Sequence, residues 1–172
     1  MRPRGCAVEP EGLLEAVEQA ADGIVITDTG GNIQYVNPAF TALTGYSPEE
    51  VLGQNPRLLK SGRNSAALYE ELWSTILSGK VWRGEVINRR KDGSYYDEEI
   101  RIAPVRDSAG AATCYIAIKH DVTEQRAAQN AQAFLAAIVD DSEDSILACT
   151  PAGAVIAFNR AATRMFGYSA PR

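Results

Sequence analysis

The clearest alternation of hydrophobic and polar residues lies in the stretch 81–122. From Trp82 to Asn88, every second residue is uncharged, whereas the residues between them include Arg83 and Glu85. A period of two residues is typical of a β-strand with one buried face and one exposed face. The pattern therefore predicts a strand whose Trp82 and Asn88 side chains point towards the core.

A turn and a second strand are predicted directly after it. Asp92-Gly93 is a strong signal for a β-hairpin, because the turn requires a positive φ angle that glycine adopts at little cost. After the turn, alternate residues again differ: the positions with the parity of Tyr96 and Ile100, which lie on one face of the predicted strand, are mostly apolar, and the positions of the other parity are mostly charged. Glu98 falls on the apolar parity, so it is predicted to face inward. An inward titratable side chain is a candidate for a functional site.

A third strand is predicted from Thr113 to Lys119, and it is apolar on both parities. Such a strand is expected to be covered on both faces. We expect an amphipathic N-terminal helix, residues 11–21, to cover the outer face by packing against this strand, for example at Ile118. Because Lys119 is predicted to lie beside Glu98, an ion pair between the two is the alternative to a binding role for Glu98.

The other predicted elements are short. Asn37-Pro38 and Ser47-Pro48 both start helices, since Asn and Ser are good N-cap residues and proline is tolerated at the first helical position. Asp121 is predicted to cap a long helix that starts at Thr123. The remaining elements are strands at 24–27 and 33–36, an irregular segment at 55–63 and an amphipathic helix at 65–77.

An internal repeat sets the organisation of the chain. Residues 22–47 match residues 144–169 without a gap, and Asn37 corresponds to Asn159. The second copy is predicted to begin again as strand, turn, strand and helix before the sequence ends, so we expect a fragment of a longer protein. The expected parts are a tail at 1–10, a domain at 11–125, a linker helix at 126–140 and the truncated start of a second domain at 141–172.

Composition narrows the classes of function. The chain has 172 residues and a net charge of -5, which argues against a nucleic-acid partner, since such binders carry a basic surface. The three cysteines, Cys6, Cys114 and Cys149, lack metal-ligand spacing and indicate reduced thiols. No apolar run approaches the roughly 20 residues that span a bilayer. We therefore expect a cytoplasmic protein without direct membrane contact.

A series of short motifs lies in order along residues 11–125: Asn37-Pro38-Ala39-Phe40, Gly45-Tyr46, Trp82-Arg83-Gly84-Glu85, Asn88-Arg89-Arg90-Lys91-Asp92-Gly93 and Asp121-Val122-Thr123. This series resembles a PAS domain, and the repeat resembles the start of a second one. The resemblance implies an α+β fold: a five-stranded antiparallel sheet with helices on one face and flanking N- and C-terminal helices. It also implies a small ligand pocket and a sensory role in a signalling protein.

The segment Asn55-Pro56-Arg57-Leu58-Leu59 is similar to the flavin-binding segment of LOV photoreceptors, a PAS subfamily. LOV domains have a cysteine where this chain has Pro56, and their photochemical adduct requires its thiol. Glu98 and Lys119 replace two further amides of that pocket, and only Asn88 is kept. The resemblance therefore excludes LOV photochemistry, whereas flavin binding without photochemistry remains open.

The segment around Trp82 and Asn88 resembles PAS redox sensors of the nitrogen-fixation regulator type, which hold FAD non-covalently. On that resemblance, Trp82 would cover one end of the pocket and Asn88 would bond the edge of the flavin ring. Arg57 could reach a phosphate. The expected cofactor-binding residues are thus Trp82, Asn88, Arg57, Asn55, Glu98 and Lys119.

The three alternatives to a flavin sensor are a ligand-free module, a haem sensor and a small flavin enzyme. A ligand-free PAS module for dimerisation or protein interaction would use Trp82 only to fill the core. Haem is not expected, because residues 65–77 contain no axial histidine, and His120, the only histidine, has outward parity. A small flavin enzyme would need a catalytic group, and His120 has no obvious partner for a triad, so no catalytic residue is predicted.

The flanking helices are expected to make the contacts with partners. The resemblance implies a homodimer formed through these helices and an output domain in the same chain, such as a histidine kinase or a cyclic-dinucleotide enzyme. The first half of the helix from Thr123 is too weakly apolar to bury itself on its own chain. Asp121 and Thr123 are expected to fix the angle at which this helix leaves the sheet, and so to relay the signal.

Overall fold

The structure is a computed structural model that describes residues 10–168. The expected tail at 1–10 lies outside this range except for its last residue, and so do Cys6 and residues 169–172. In chain order the helices and strands are α1 Pro10–Glu18, β1 Gly23–Asp28, β2 Ile33–Val36, α2 Pro38–Thr44, α3 Pro48–Val51, α4 Ala66–Leu77, β3 Trp82–Arg89, β4 Tyr95–Arg106, β5 Ala112–Asp121, α5 Thr123–Asp141, β6 Leu147–Cys149, β7 Val155–Phe158 and α6 Arg160–Phe166, with a 3₁₀ turn at Pro56–Leu59.

Strands β1 to β5 form one antiparallel sheet in the order β2-β1-β5-β4-β3. The hairpin lies where the sequence predicts it, and Gly93 adopts the positive φ angle of 90° that the turn requires. The parities are also confirmed, since Trp82, Val86 and Asn88 are buried on β3 while Arg83 and Glu85 are exposed. The expected α+β fold with a five-stranded antiparallel sheet is therefore confirmed.

Helices cover one face of this sheet through two apolar clusters. Phe40 of α2 and Val51 of α3 pack with residues of β1 and β2. Leu72 and Ile76 of α4 pack with residues of β3, β4 and β5. Each fully buried aliphatic or aromatic side chain of this kind stabilises the fold by about 1.5–3 kcal/mol. The two clusters lie side by side along the sheet, and the candidate site lies between the sheet and α4.

Asn37 ties the start of the domain together. Its side-chain oxygen accepts from the N–H groups of Ile24 and Phe40 at 2.7 and 3.0 Å. Its side-chain nitrogen donates to the carbonyl groups of Val17 and Asp22 at 3.1 and 2.9 Å. One buried amide thus caps α2 and joins it to α1 and β1. Replacing it would leave several backbone groups without a partner.

The second copy repeats this arrangement bond for bond. The Asn159 oxygen accepts from the N–H groups of Ile146 and Ala162, both at 3.0 Å. The Asn159 nitrogen donates to the carbonyl groups of Val139 and Asp144, both at 2.8 Å. Each partner corresponds to a partner of Asn37 at the repeat spacing, so the internal repeat is structural as well as sequential.

The expected packing of the N-terminal helix is wrong. Helix α1 ends at Glu18, and Leu13 and Leu14 are 60% and 54% exposed. Ile118 on the outer face of β5 is 37% exposed, so this strand is not covered on both faces. The reason is that α1 is anchored at β2, the edge strand, where the Tyr35 hydroxyl donates to Glu18 at 2.5 Å.

Helix α5 starts as the sequence predicts and continues to Asp141 without a buried residue. The residue directly before the helix is Val122, so Asp121 lies one position before the N-cap position that the sequence predicts for it. The chain divides into two compact units between Thr123 and Glu124. Within residues 10–168, no helix is both long and apolar enough to cross a membrane.

Candidate functional site

A cavity of about 330 Å³ lies between the sheet, α4 and the 3₁₀ turn. Sites for small molecules span about 300–1,000 Å³, so this cavity suits a small ligand or one planar part of a larger one. Its walls are mainly apolar, and its polar side chains are few. The apolar lining includes Val25, Leu72, Ile76, Val86, Ile100, Ile102 and Tyr115, and the polar lining includes Thr27, Asn55, Arg57, Lys60, Asn88 and Lys119.

A buried triad occupies the sheet side of this cavity. The Glu98 carboxylate is 0% exposed and accepts from the Lys119 ammonium at 3.2 and 3.0 Å. It also accepts from the side-chain nitrogen of Asn88 at 2.8 Å. Asn88 and Lys119 line the cavity, and Glu98 lies behind them rather than in the wall. The inward orientation of all three confirms the parity argument.

Strand register brings these three residues together. Val86 is opposite Glu98, and Ile100 is opposite Lys119, so the carboxylate lies diagonally between the two other side chains. Diagonal neighbours on one face are within reach of long side chains. Removing one member of a buried ion pair costs about 3–5 kcal/mol, because the other charge is left without compensation.

The Tyr96 phenol lies beside this triad on β4 and is buried. Burial, followed by the negative charge of Glu98, raises the pKa of Tyr96 above its ordinary value of 10.0. Tyr96 therefore remains a neutral phenol at physiological pH. Its side chain fills the core next to the triad and is not part of the cavity wall.

Trp82 is placed differently from the expectation that it covers one end of the pocket. It is 3% exposed and belongs to the apolar cluster with Leu72 and Ile76, outside the cavity lining. Its indole ring lies on Gly84, where an added Cβ would come within 2.4 Å of the ring. The alternation along β3 correctly predicts which face of the sheet Trp82 lies on. Its indole ring, however, packs along β3 and does not line the cavity.

Asn55 and Arg57 both line the cavity, in different ways. The Asn55 side chain is held by the fold, because its oxygen accepts from the Arg57 N–H at 3.1 Å and its nitrogen donates to the Gly31 carbonyl at 3.0 Å. The Arg57 side chain is exposed at the cavity mouth. Asn55 therefore shapes the wall, whereas Arg57 is placed to meet an anionic group outside it.

Sequence reasoning missed two aromatic residues at the cavity mouth. Trp73 lines the cavity and is 39% exposed. Tyr69 lines it one turn earlier, and the Lys60 ammonium lies 3.8 Å from the centre of the Tyr69 ring. The signal available was their spacing on α4, since positions 69, 73 and 76 follow one another along one side of a helix.

The expected relay residues lie at the start of α5. The Asp121 carboxylate accepts from the Thr123 N–H at 2.9 Å and pairs with the Arg90 guanidinium at 2.6 Å. The Thr123 hydroxyl accepts from the Asp97 N–H at 2.9 Å. Arg90 also donates to the Leu43 carbonyl at 2.9 Å. The first turn of α5 is thereby tied to the tip of the hairpin and to β4, directly beside Glu98.

His120 points outward, as its parity predicts, but it has a partner. Its ring lies 2.7 Å from the Asp22 carboxylate, which raises the pKa of His120 above its ordinary value of 6.5. This pair joins the end of β5 to the segment before β1. Both side chains are exposed on the face of the sheet opposite the cavity, and no nucleophile accompanies them among the described residues.

Comparison with known proteins agrees with this geometry. The sequence model of the PAS domain matches residues 21–124. This chain belongs to the PAS family. A second PAS match covers residues 133–172, in agreement with the internal repeat. The expected function as a sensory PAS module is supported by both matches.

The relatives are regulatory and signalling proteins. The chain is 45% identical over 107 residues to a nitrogen fixation regulatory protein of Klebsiella oxytoca. The aligned region covers 62% of this chain and 22% of that protein. It is 35% identical over 127 residues to the bacterioopsin transcriptional activator of Halobacterium salinarum. This aligned region covers 71% of this chain and 19% of that protein. The chain thus spans about a fifth of the length of these relatives.

Solved structures show the same fold. An RNA-binding Light-Oxygen-Voltage receptor matches with a TM-score of 0.68 and 32% identity, over 80% of this chain and 40% of that one. A Light-Oxygen-Voltage domain studied with a flavin analogue matches with a TM-score of 0.62 and 29% identity, over 75% of this chain and 97% of that one.

Proposed function

We propose that this chain is the sensory part of a longer signalling protein and that its cavity holds a flavin, FAD, without a covalent bond. The observation that carries the proposal is the position of Asn88 and Lys119, two buried polar side chains that line the same mainly apolar cavity. Such a cavity suits a planar heterocycle that has one polar edge. The similarity to a Light-Oxygen-Voltage domain studied with a flavin analogue supports the choice of ligand.

The residues present fit a flavin. The apolar walls would enclose the ring system, and Asn88 and Lys119 would bond its polar edge. Arg57 and Lys60 lie at the mouth, where the phosphate groups of FAD would emerge, and guanidinium and ammonium groups bind phosphate well. A bound flavin would supply reversible redox chemistry. Trp82 takes no part in this binding, since it lies in the core.

Thiol photochemistry forms no part of the proposal. Pro56 lines the cavity where LOV domains have their cysteine, and neither Cys114 nor Cys149 does. The redox or ligand signal would instead pass from the triad through Asp97 and Asp121 to Thr123 and α5. The proposal assigns no catalytic residue and no nucleic-acid partner to the chain, and it places the protein in the cytoplasm.

We also propose that two copies associate through α1 and the outer face of the sheet. Leu13, Leu14 and Ile118 leave apolar surface exposed there. On the same face, Arg83 is directly opposite Arg101, and Glu85 is directly opposite Glu99. A two-fold partner would place its glutamate pair against this arginine pair, so the charges of the two surfaces would be complementary. Dimerisation without a ligand is the second candidate function.

In the proposed domain plan, residues 11–125 form the sensor, 126–140 the linker helix and 141–172 the start of a second PAS domain. The output domain lies elsewhere in the parent protein and is a histidine kinase or a cyclic-dinucleotide enzyme.

Titration with FAD tests the proposal. Wild-type chain should quench flavin fluorescence on binding, and Asn88→Ala should weaken binding because it removes the polar contact. Lys119→Ala should shift the redox potential of the bound flavin. Asn32→Ala, which alters an exposed amide in the β1–β2 turn, is the matched control. No uptake of FAD by folded wild-type protein would leave the ligand-free dimer as the function.

The dimer is tested separately by sedimentation. Leu13→Asp should shift the chain towards the monomer, because it places a charge on the exposed apolar surface of α1. Arg101→Glu and Glu99→Arg should each weaken association, and the double exchange should restore it if the two pairs meet across the two-fold axis. An oligomeric state that none of these changes alters would refute the interface.

A further inference from the structure

The Glu98 carboxylate controls which way the Asn88 amide faces. An ionised carboxylate can only accept hydrogen bonds, so the NH₂ group of Asn88 must be the part turned towards it. The distance of 2.8 Å from the Asn88 nitrogen to Glu98 agrees with this orientation. The Asn88 carbonyl oxygen therefore faces away from Glu98, and the Asn88 side chain lines the cavity.

The same carboxylate holds the Lys119 ammonium. Lys119 directs its contacts of 3.2 and 3.0 Å at the two oxygens of Glu98, and an ammonium has three hydrogens to donate. At least one N–H remains for another acceptor, and the side chain lines the cavity. Because Glu98 neutralises the ammonium, Lys119 offers a directed donor without leaving a net charge in the pair.

We propose that Glu98 is a positioning residue that gives the cavity one fixed polarity, with an acceptor at Asn88 and a donor at Lys119. A ligand must then present a donor next to an acceptor, which is the –NH–C(=O)– edge of an imide or lactam. The pyrimidine edge of a flavin is one such group. This inference rests on the proposed function for its choice of ligand, but the polarity itself belongs to the ligand-free protein.

Two flavins that differ at one atom test the polarity. Riboflavin carries the imide N–H, and 3-methylriboflavin carries a methyl group there. Wild-type chain should bind riboflavin on the order of tenfold more tightly or better, because the methylated ligand leaves a buried acceptor without a donor. Both dissociation constants are measured by fluorescence quenching.

Glu98→Gln should remove this discrimination. The carbonyl of the introduced glutamine would accept from Lys119, so its NH₂ group would face Asn88 and the Asn88 amide would turn over. The steric effect of the methyl group is the same in both proteins, so the change in the ratio of dissociation constants isolates the hydrogen bond. We expect the ratio to fall at least about fivefold.

Glu71→Gln is the matched control, since Glu71 is an exposed glutamate of α4 that does not line the cavity. It should leave the ratio unchanged. If Glu98→Gln fails to fold, the double variant Glu98→Gln/Lys119→Gln replaces it, because it contains neither charge of the buried pair. The double variant should also lose the discrimination between the two flavins, since Asn88 then has no neighbour that can only accept hydrogen bonds. A ratio that stays at the wild-type value in these Glu98 variants would overturn the inference.

Hydrogen exchange of the Asn88 side-chain amide separates this inference from the flavin proposal. In ligand-free wild-type protein, the hydrogen bonded to Glu98 should exchange slowly, and in Glu98→Gln the amide should exchange faster because it faces the cavity. The signal is assigned by its loss in Asn88→Ser. If wild-type protein binds no riboflavin, the flavin proposal fails, and the exchange rate of the Asn88 amide alone tests the polarity of the cavity. Protection that is absent in wild type, or that Glu98→Gln leaves unchanged, would overturn the inference about Glu98.

Discussion

Glu98 and Lys119 lie on neighbouring strands with their charged groups 3.0 Å apart, and both side chains are almost fully buried. The carboxylate and the ammonium neutralise each other, so the pair adds no net charge beside the cavity. Lys119 lines the cavity and Glu98 does not, so a bound ligand would meet the Lys119 ammonium and the Asn88 amide, both of which bond to the carboxylate behind them.

Breaking this pair should destabilise the fold strongly. Lys119→Met should lower the free energy of unfolding by about 3–5 kcal/mol, because Glu98 keeps a buried charge without a counterion. Lys119→Met/Glu98→Gln should recover most of that loss. Urea unfolding provides the measurement, and Lys91→Met, in the exposed pair with Glu50, is the control with an expected loss below about 1 kcal/mol. A Lys119→Met loss as small as the control would contradict the buried pair.

The two tryptophans should behave in opposite ways. Trp82→Ala should cost about 3–5 kcal/mol in unfolding free energy, since it empties a buried site in the apolar cluster. Trp73→Ala should change stability by roughly 0.5 kcal/mol or less, as surface substitutions do. It should instead weaken FAD binding, because the ring lines the mouth of the cavity. Equal effects of the two variants on the free energy of unfolding would contradict the placement of Trp82 in the core and of Trp73 at the cavity mouth.

Stability should depend on pH through His120. Asp22 raises the pKa of His120 in the folded protein above its unfolded value, so folding favours the protonated ring. This stabilisation is complete below the ordinary pKa of about 6.5 and is lost as the pH rises through the higher folded value. The difference in Tm between wild type and His120→Gln should therefore be larger at pH 5.5 than at pH 8.5. A difference that is constant over this range would rule out the pair.

Strand parity predicted most of the buried triad. The period of two residues in β3 and β4 places Asn88 and Glu98 on one face, and the same argument extends to Lys119 on β5. Parity cannot say how far along a strand a side chain lies from a cavity. For this reason Trp82 was placed on the correct face but at the wrong site, and Trp73 was missed.

Amphipathic pattern was less informative for the N-terminal helix. The pattern of α1 shows that one side avoids water, but it does not show what covers that side. In the structure, hydrogen bonds from Asn37 and Tyr35 hold the end of α1 at β2, and the apolar side remains exposed on this chain. The repeat was predictable because Asn37 and Asn159 occupy equivalent positions, and their equivalent hydrogen bonds follow from that.

Asp121→Ala should uncouple the signal from the output in the full-length parent. It removes the bond to the Thr123 N–H and the ion pair with Arg90, at an expected cost of about 0.5–2 kcal/mol. FAD affinity should stay unchanged, while the response of the output activity to the signal should fall. Asp107→Ala, in the β4–β5 turn, is a control that also loses bonds to backbone N–H groups. An unaltered response in Asp121→Ala would refute the relay.

The most direct test of the flavin proposal is the cofactor content of the purified chain. The protein is expressed in flavin-replete cells, its absorption spectrum is recorded, and any ligand is released by heat and identified by mass. The account predicts a flavin spectrum in the folded protein and release of intact FAD, with a lower content in Asn88→Ala than in Asn32→Ala. A colourless, folded wild-type protein that also takes up no added FAD would contradict it.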